Sequence, residues 1–159
     1  MIPADTPHFE QLRDAAQALG AVVISFGRAA HANVRLLDAV PAPGGGSLVT
    51  ADLGARRVCY TVAEPGEHWI ANSLAVMAAV GAAGGDLGAA GLALAEMPGL
   101  KGRGQRHTLK AQGGDGSGRA LLIDESYNAN PASMAATLAS LGDTAAQRRV
   151  AVLATMKEL

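Results

Sequence analysis

Three short strings of this 159-residue sequence combine residue types that can bind or transform a ligand. In the first, GEHWIANSLAV from Gly66 to Val76, His68 and Asn72 are four residues apart and share one face at the start of a predicted helix. Backbone N–H groups and the positive end of the helix dipole also point there, which suits a nucleotide. The alternative is a capping histidine with a solvated asparagine, and spacing alone favours it.

The second string, GRGQR from Gly102 to Arg106, combines glycines with arginines. Glycines allow close backbone approach and flexibility, and Arg103 can clamp a phosphate through two parallel hydrogen bonds. A solvated basic loop explains the same residues, and both interpretations stay open.

The third string, IDESYNANPASM from Ile123 to Met134, lies between a predicted strand and the start of a predicted helix. Two acidic residues, Asp124 and Glu125, precede two asparagines, Asn128 and Asn130. This is the place where α/β folds bind ligands. Roles as turn and cap residues explain one asparagine well but not the whole string.

The elements that must position these strings alternate between helices and short apolar strands, which is typical of α/β proteins. A helix is predicted over Asp5–Leu19, where Asp5 or Thr6 caps the first turn and Pro7 lies within it. Turn residues and apolar periodicity then predict the following elements: strands over 21–27, 33–40, 47–53 and 57–62, helices over 68–80 and 87–97, a hairpin of 105–111 with 119–126 around a turn at 112–118, a helix capped by Asn130, and a strand over 149–156.

Composition excludes several classes of protein. Apolar residues make up 49% of the chain, which argues against disorder, and a net charge of -1 lacks the basic footprint of a nucleic-acid binder. The single cysteine, Cys59, excludes an internal disulfide framework and is predicted to be a small buried hydrophobe. The longest apolar stretch is too short to cross a membrane, and no signal peptide is evident at the N-terminus, so a cytoplasmic location is expected.

The YNANPASM string, in its IDESYNANPASM context, resembles the signature of the MurF-type Mur ligases. The order of motifs also agrees over essentially all 159 residues: a helix entered through an acidic and a proline residue, an SFG strand, G-x-H-x-x-x-N, a GRGQR string, YNANP and a final strand ending in M-x-E-L. G-x-H-x-x-x-N is shared across the wider superfamily, so YNANP is the more specific motif.

The resemblance implies an α/β fold in two parts. Residues 1–101 correspond to the C-terminal part of the central, P-loop-type ATPase domain of the Mur ligases, and residues 102–159 to the start of their Rossmann-like C-terminal ligase domain. It also implies a ligase that uses ATP and Mg²⁺ to add D-alanyl-D-alanine to UDP-N-acetylmuramoyl-tripeptide in peptidoglycan precursor synthesis. The expected partners are these small molecules, with neither nucleic acid nor membrane insertion.

The same resemblance implies roles for individual residues. His68 and Asn72 would lie beside the adenine or ribose, Arg103 would meet the ATP phosphates, and Asp5, Asp124 and Glu125 would lie on the nucleotide side. Asn128, Asn130 and Ser133 would bind substrate where the incoming dipeptide meets the nucleotide. The sequence departs from the family pattern at Pro3, Trp69 and Ala154–Thr155, and Glu125 stands where the family more often has Asp.

The sequence contains no G-x-x-x-x-G-K-[ST] phosphate loop. The magnesium ligands and the UDP-binding part of the family are expected before Met1, and most of the last domain after Leu159. We therefore expect the chain to be an internal segment that is inactive in ligation by itself. Three alternatives stay open: a sister Mur ligase or folylpolyglutamate synthase, a non-catalytic nucleotide-binding remnant, and a nucleic-acid binder built on the basic residues 101–110, which the net charge argues against.

Overall fold

A computed structural model describes residues 1–97, 99–110 and 118–156. The chain forms two compact units, Met1–Met97 and Pro98–Leu159. In the described part of the chain, no helix is both long and apolar enough to cross a membrane. The predicted domain boundary between residues 101 and 102 stays a prediction, because compactness alone does not define a domain.

The first unit is a mixed α/β fold, as predicted. Its elements in chain order are β1 Ile2–Pro3, α1 Phe9–Ala18, β2 Ser25–Gly27, β3 Val34–Pro41, β4 Ser47–Asp52, β5 Arg57–Val62, α2 Glu67–Ala82 and α3 Leu87–Glu96. The predicted strands near residues 33–40, 47–53 and 57–62 and both alanine-rich helices are confirmed to within about two residues at each end.

The five strands form one sheet in the order β1-β2-β3-β4-β5. β1, β2 and β3 pair in parallel, whereas β3, β4 and β5 pair in antiparallel fashion. Because β1 and β2 are parallel, their carboxyl ends lie at the same edge of the sheet, and Asp5 and Arg28 follow those ends.

The core of this unit lies between the sheet and α2. Alternate residues of β4 point inward, and Val49 and Ala51 are fully buried against a helix face that includes Leu74 and Met77. The same alternation in β5 buries Tyr60 and exposes Cys59. The prediction that Cys59 is buried is therefore wrong, because an apolar run does not say which residues of a strand face the core.

Two predictions near the N-terminus are also wrong. The strand expected over residues 21–27 begins only at Ser25, and Val22 is 90% exposed, since β1 pairs with just two residues of β2. Helix α1 begins at Phe9 without a side-chain cap. The carboxylate of Asp5, predicted as a possible cap, is bound elsewhere, as described below.

The second unit contains β6 Gln105–Lys110, β7 Arg119–Asp124 and α4 Pro131–Asp143. β6 and β7 pair in antiparallel fashion, which confirms the two arms of the predicted hairpin, while its turn falls mostly on residues 111–117, outside the described residues. The strand predicted over 149–156 is wrong: these described residues form no strand, and Val152 is 92% exposed. An apolar run becomes a strand only where a neighbouring strand satisfies its backbone.

Candidate functional site

The start of α2 presents His68 and Asn72 as predicted, one turn apart. The helix begins after Gly66, whose φ is 122°, and no described side chain caps its first N–H groups. His68 is half-buried, and its ring centroid lies 5.6 Å from that of Trp69. Burial lowers the pKa of His68, so the imidazole is neutral at pH 7. Together with the exposed amide of Asn72, this helix end offers donors and acceptors for a polar ligand.

A buried hydrogen bond fixes α2 to the sheet. The hydroxyl of Tyr60 on β5 lies 3.0 Å from the Oγ of Ser73, which in turn donates to the carbonyl of Ile70 at 2.7 Å. The Tyr60 hydroxyl must therefore be the donor to Ser73. Burial raises the pKa of Tyr60, which keeps this hydroxyl protonated. Ser73 follows Asn72 directly, so the bond also fixes the helix that carries the predicted nucleotide residues.

The carboxylate of Asp5 holds the loop that follows β2. It accepts hydrogen bonds from the backbone N–H groups of Arg28 at 2.8 Å and Ala29 at 2.8 Å. The Nη2 of Arg28 pairs with the Oε2 of Glu67 at 2.5 Å, at the start of α2. The structure thus connects Asp5 to the residue beside His68, whereas its predicted contact with a nucleotide stays a prediction.

The sequence alone indicated no functional role for Arg28 or Glu67. The available signals were an arginine directly after the glycine that ends a strand and an acidic residue in the first turn of a helix. Neither signal indicates a pair, because the two residues are 39 positions apart.

In the second unit, the GRG string lies against the YNANP string. Gly104 N–H donates to the carbonyl of Asp124 at 3.0 Å, and Tyr127 N–H donates to the carbonyl of Gly102 at 3.0 Å. The guanidinium carbon of Arg103 lies 4.2 Å from the centroid of the Tyr127 ring. The structure therefore brings together Arg103 and the acidic end of β7, which sequence order separates by 20 residues.

Asp124, one of the two predicted acidic residues, is held by hydrogen bonds from Ser126. Its Oδ1 accepts from Ser126 N–H at 3.0 Å. Hydrogen bonds from Ser126, with smaller contributions from His107 and Lys101, lower the pKa of Asp124. The carboxylate is therefore ionised at neutral pH, while Glu125 beside it is half-buried.

Asn130 and Ser133 form the N-terminal cap of α4. Asn130 Oδ1 accepts from Ser133 N–H at 2.9 Å, and Ser133 Oγ accepts from Asn130 N–H at 3.0 Å. The capping role of Asn130 is thus confirmed, and these two hydrogen bonds do not use its side-chain NH₂ group. Asn128 is exposed, and its Oδ1 accepts from Ala129 N–H at 2.7 Å. Binding of substrate by Asn128, Asn130 and Ser133 stays a prediction.

The predicted site residues thus form two groups, one in each unit. Asp5, His68 and Asn72 lie in the first unit, and the others lie in the second: Arg103, Asp124, Glu125, Asn128, Asn130 and Ser133. Within residues 1–97, 99–110 and 118–156, no three side chains of His, Cys, Asp or Glu are grouped as a metal site requires. A cavity of about 540 Å³ beside α1 is lined by other residues, including Phe9, Arg13 and His31.

Comparison with known proteins relates the chain to the Mur ligases. No protein-family model matches it. The UDP-N-acetylmuramate–L-alanine ligase of Streptomyces coelicolor is 32% identical over 82% of this chain and 26% of its own length. The corresponding ligase of Streptomyces avermitilis is 31% identical over 96% of this chain and 31% of its own length. The chain therefore spans less than a third of these curated relatives.

Solved structures give the same result for the fold. MurF from Acinetobacter baumannii has a TM-score of 0.73 and 25% identity, over 90% of this chain and 29% of that one. The MurF ligase of Thermotoga maritima, in complex with ADP, has a TM-score of 0.62 and 17% identity, over 83% of this chain and 28% of that one, which shows the fold alone. Sequence and fold together identify the chain as a homologue of the Mur ligase family. The homology covers somewhat less than a third of the length of these relatives.

Proposed function

We propose that the protein containing this chain is a cytoplasmic, ATP-dependent ligase of peptidoglycan precursor synthesis that adds D-alanyl-D-alanine to UDP-N-acetylmuramoyl-tripeptide. The observation that carries the proposal is the contact between the GRG string and the YNANP string, which places Arg103 over Tyr127. The similarity in fold to MurF of Acinetobacter baumannii supports the same assignment.

On this proposal, the residues of the first unit bind the nucleoside part of ATP. The neutral imidazole of His68 and the amide of Asn72 lie one turn apart at an uncapped helix end, where they can bind a base or a ribose. Asp5 supports this site indirectly, because its carboxylate is hydrogen-bonded to the loop that carries Arg28.

The residues of the second unit act on the charged part of the reaction. The reaction transfers a phosphoryl group from ATP to the tripeptide carboxylate, and the amine of D-alanyl-D-alanine then displaces phosphate from the acyl phosphate. Arg103 neutralises the phosphoryl charge through its guanidinium. The ionised Asp124 and its neighbour Glu125 lie on the nucleotide side, and Asn128, Asn130 and Ser133 bind the incoming dipeptide.

Mg²⁺ would screen the phosphate charge when bound. The described residues do not group enough carboxylates or imidazoles to hold it by themselves. The proposal therefore assigns the magnesium ligands to other parts of the protein and gives no residue named above a role as a metal ligand.

A second candidate function is the addition of L-alanine to UDP-N-acetylmuramate. It is favoured by the two Streptomyces relatives, whose names give that activity. The sister enzymes usually carry a histidine-containing string where this chain has YNANP, and for that reason we place D-alanyl-D-alanine first.

The test is ATP-dependent phosphate release by the native gene product that contains these residues. We expect release with UDP-N-acetylmuramoyl-tripeptide and D-alanyl-D-alanine, and at most background release with UDP-N-acetylmuramate and L-alanine. The reverse pattern would establish the second candidate, and no release with either pair would refute both candidates. Arg103→Met is expected to raise the KM for ATP at least about tenfold, whereas Arg106→Met, an exposed arginine three residues away, serves as the matched control.

A further inference from the structure

The loop that carries Arg103 is fixed by the backbone around Tyr127. Its two glycines are buried, and each shares one backbone hydrogen bond of 3.0 Å with the segment from Asp124 to Tyr127. Gly102 has a φ of +71°, and a Cβ at that position would lie 2.9 Å from the Tyr127 nitrogen. The close approach therefore requires glycine, and it brings the base of Arg103 beside the tyrosine.

The side chain of Arg103 lies over the ring of Tyr127. Its guanidinium carbon lies 4.2 Å above the ring centroid, within the range of a cation–π contact. Tyr127 is 67% exposed, so packing in a core does not explain the position of its ring. An exposed arginine loses many rotamers when it binds a ligand, and a ring that already restricts it lowers this entropic cost.

We propose that Tyr127 is a positioning residue that holds the guanidinium of Arg103 ready for an anionic phosphate. The proposal rests on the proposed function for the identity of that anion, the phosphates of ATP. Tyr127 acts through Arg103, and the face of its ring is the part that matters. Its hydroxyl is not needed, so phenylalanine should replace it and leucine should not.

The first measurement tests the contact itself and does not depend on activity. In the protein labelled with ¹³C-arginine, the side-chain protons of Arg103 should be shifted upfield by the ring current of Tyr127. The shift should persist in Tyr127→Phe and disappear in Tyr127→Leu. Unchanged Arg103 resonances in Tyr127→Leu would overturn the proposal.

The second measurement tests the consequence for ATP in a double-mutant cycle. Tyr127→Leu should raise the KM for ATP about twofold to fivefold, the range expected of an exposed cation–π contact, with kcat less affected. Tyr127→Phe should restore the original KM. In an Arg103→Met background, Tyr127→Leu should have no further effect.

The outcomes separate this inference from the proposed function. An equal rise in KM caused by Tyr127→Leu with and without Arg103 would show that Tyr127 touches substrate or merely supports the loop, and would overturn the positioning role. If the ring-current shift is present but Arg103→Met leaves the KM for ATP unchanged, the role of Arg103 in the proposed function fails, and the positioning role fails with it.

Discussion

The replacement of Gly27 by alanine tests how the first unit holds the end of its parallel strands. Gly27 ends β2 with a φ of +146°, and a Cβ there would lie 2.3 Å from Oδ2 of Asp5 and 2.8 Å from its Cγ. Asp5 cannot move away freely, because its carboxylate binds the N–H groups of Arg28 and Ala29. Gly27→Ala must therefore displace the carboxylate or distort the loop.

The expected cost is the sum of two effects. A non-glycine residue in that backbone region costs about 1–3 kcal/mol. Losing one charge-assisted hydrogen bond of Asp5 costs about 1.5–3 kcal/mol, with the lower value expected because Asp5 is exposed. Gly27→Ala should therefore lower the free energy of unfolding by about 2.5–4.5 kcal/mol, a large share of the stability of an ordinary domain.

The assay is urea unfolding followed by circular dichroism, in a cycle with Asp5→Ala. In the Asp5→Ala background the steric conflict is gone, so Gly27→Ala should cost about 1.5 kcal/mol less than in the original protein. Gly54→Ala is the matched control, since its φ is +79° but no atom lies within 4 Å of the added Cβ. We expect it to cost about 1–2 kcal/mol.

Two results would refute this reasoning. One is a cost for Gly27→Ala that is no larger than that of Gly54→Ala. The other is a cost that Asp5→Ala leaves unchanged, which would mean that the carboxylate is not what the new methyl group meets.

Three further predictions concern other contacts. Ser73→Ala leaves the buried hydroxyl of Tyr60 without its partner and should lower the free energy of unfolding by about 1–3 kcal/mol, whereas Tyr60→Phe should lower it by only about 1 kcal/mol. Urea unfolding of both variants measures the difference, and the opposite order would contradict the assignment of Tyr60 as the donor. Burial lowers the pKa of His68 in the folded protein, so as the pH falls below about 6.5 the imidazole is protonated first in the unfolded state. The free energy of unfolding should therefore decrease from that pH down to the folded-state pKa. Unfolding at pH 7.5 and 5.5 should show a smaller decrease for His68→Gln; an equal decrease would exclude this source. Gly142→Ala adds a methyl group in open space within α4, and the higher helix propensity of alanine should stabilise the protein by about 0.5 kcal/mol. The melting temperature should therefore rise, and an unchanged or lower melting temperature would contradict this prediction.

Much of the fold was predictable because local signals and tertiary structure agree. Alternating residues in β4 and β5, the alanine-rich periodicity of α2 and α3 and the N-P start of α4 each predict the element observed. The failures share one cause. Residues 21–24 and 150–154 are apolar, but a strand needs a partner for its N–H and C=O groups, and no short stretch of sequence shows whether one exists.

The candidate site divides in the same way. His68 and Asn72 lie on one turn of α2 because helical spacing alone puts them there, and Asn130 caps α4 through a bond to a residue three positions away. In contrast, the bonds of Asp5 to residues 28 and 29 and the pair of Arg28 with Glu67 join residues at least 23 positions apart. The strings gave no indication of these contacts.

The sequence by itself determined which elements form wherever the decisive interactions are local: helix caps, turns and the alternation of side chains along a strand. The order of its motifs also indicated the Mur ligase resemblance. Only the tertiary structure decided that Cys59 faces solvent, that the carboxylate of Asp5 binds a loop, and that Arg103 lies over Tyr127. The physical reason is that these outcomes depend on the register of strands and on close backbone approaches between distant segments, which are set by the packing of the whole unit.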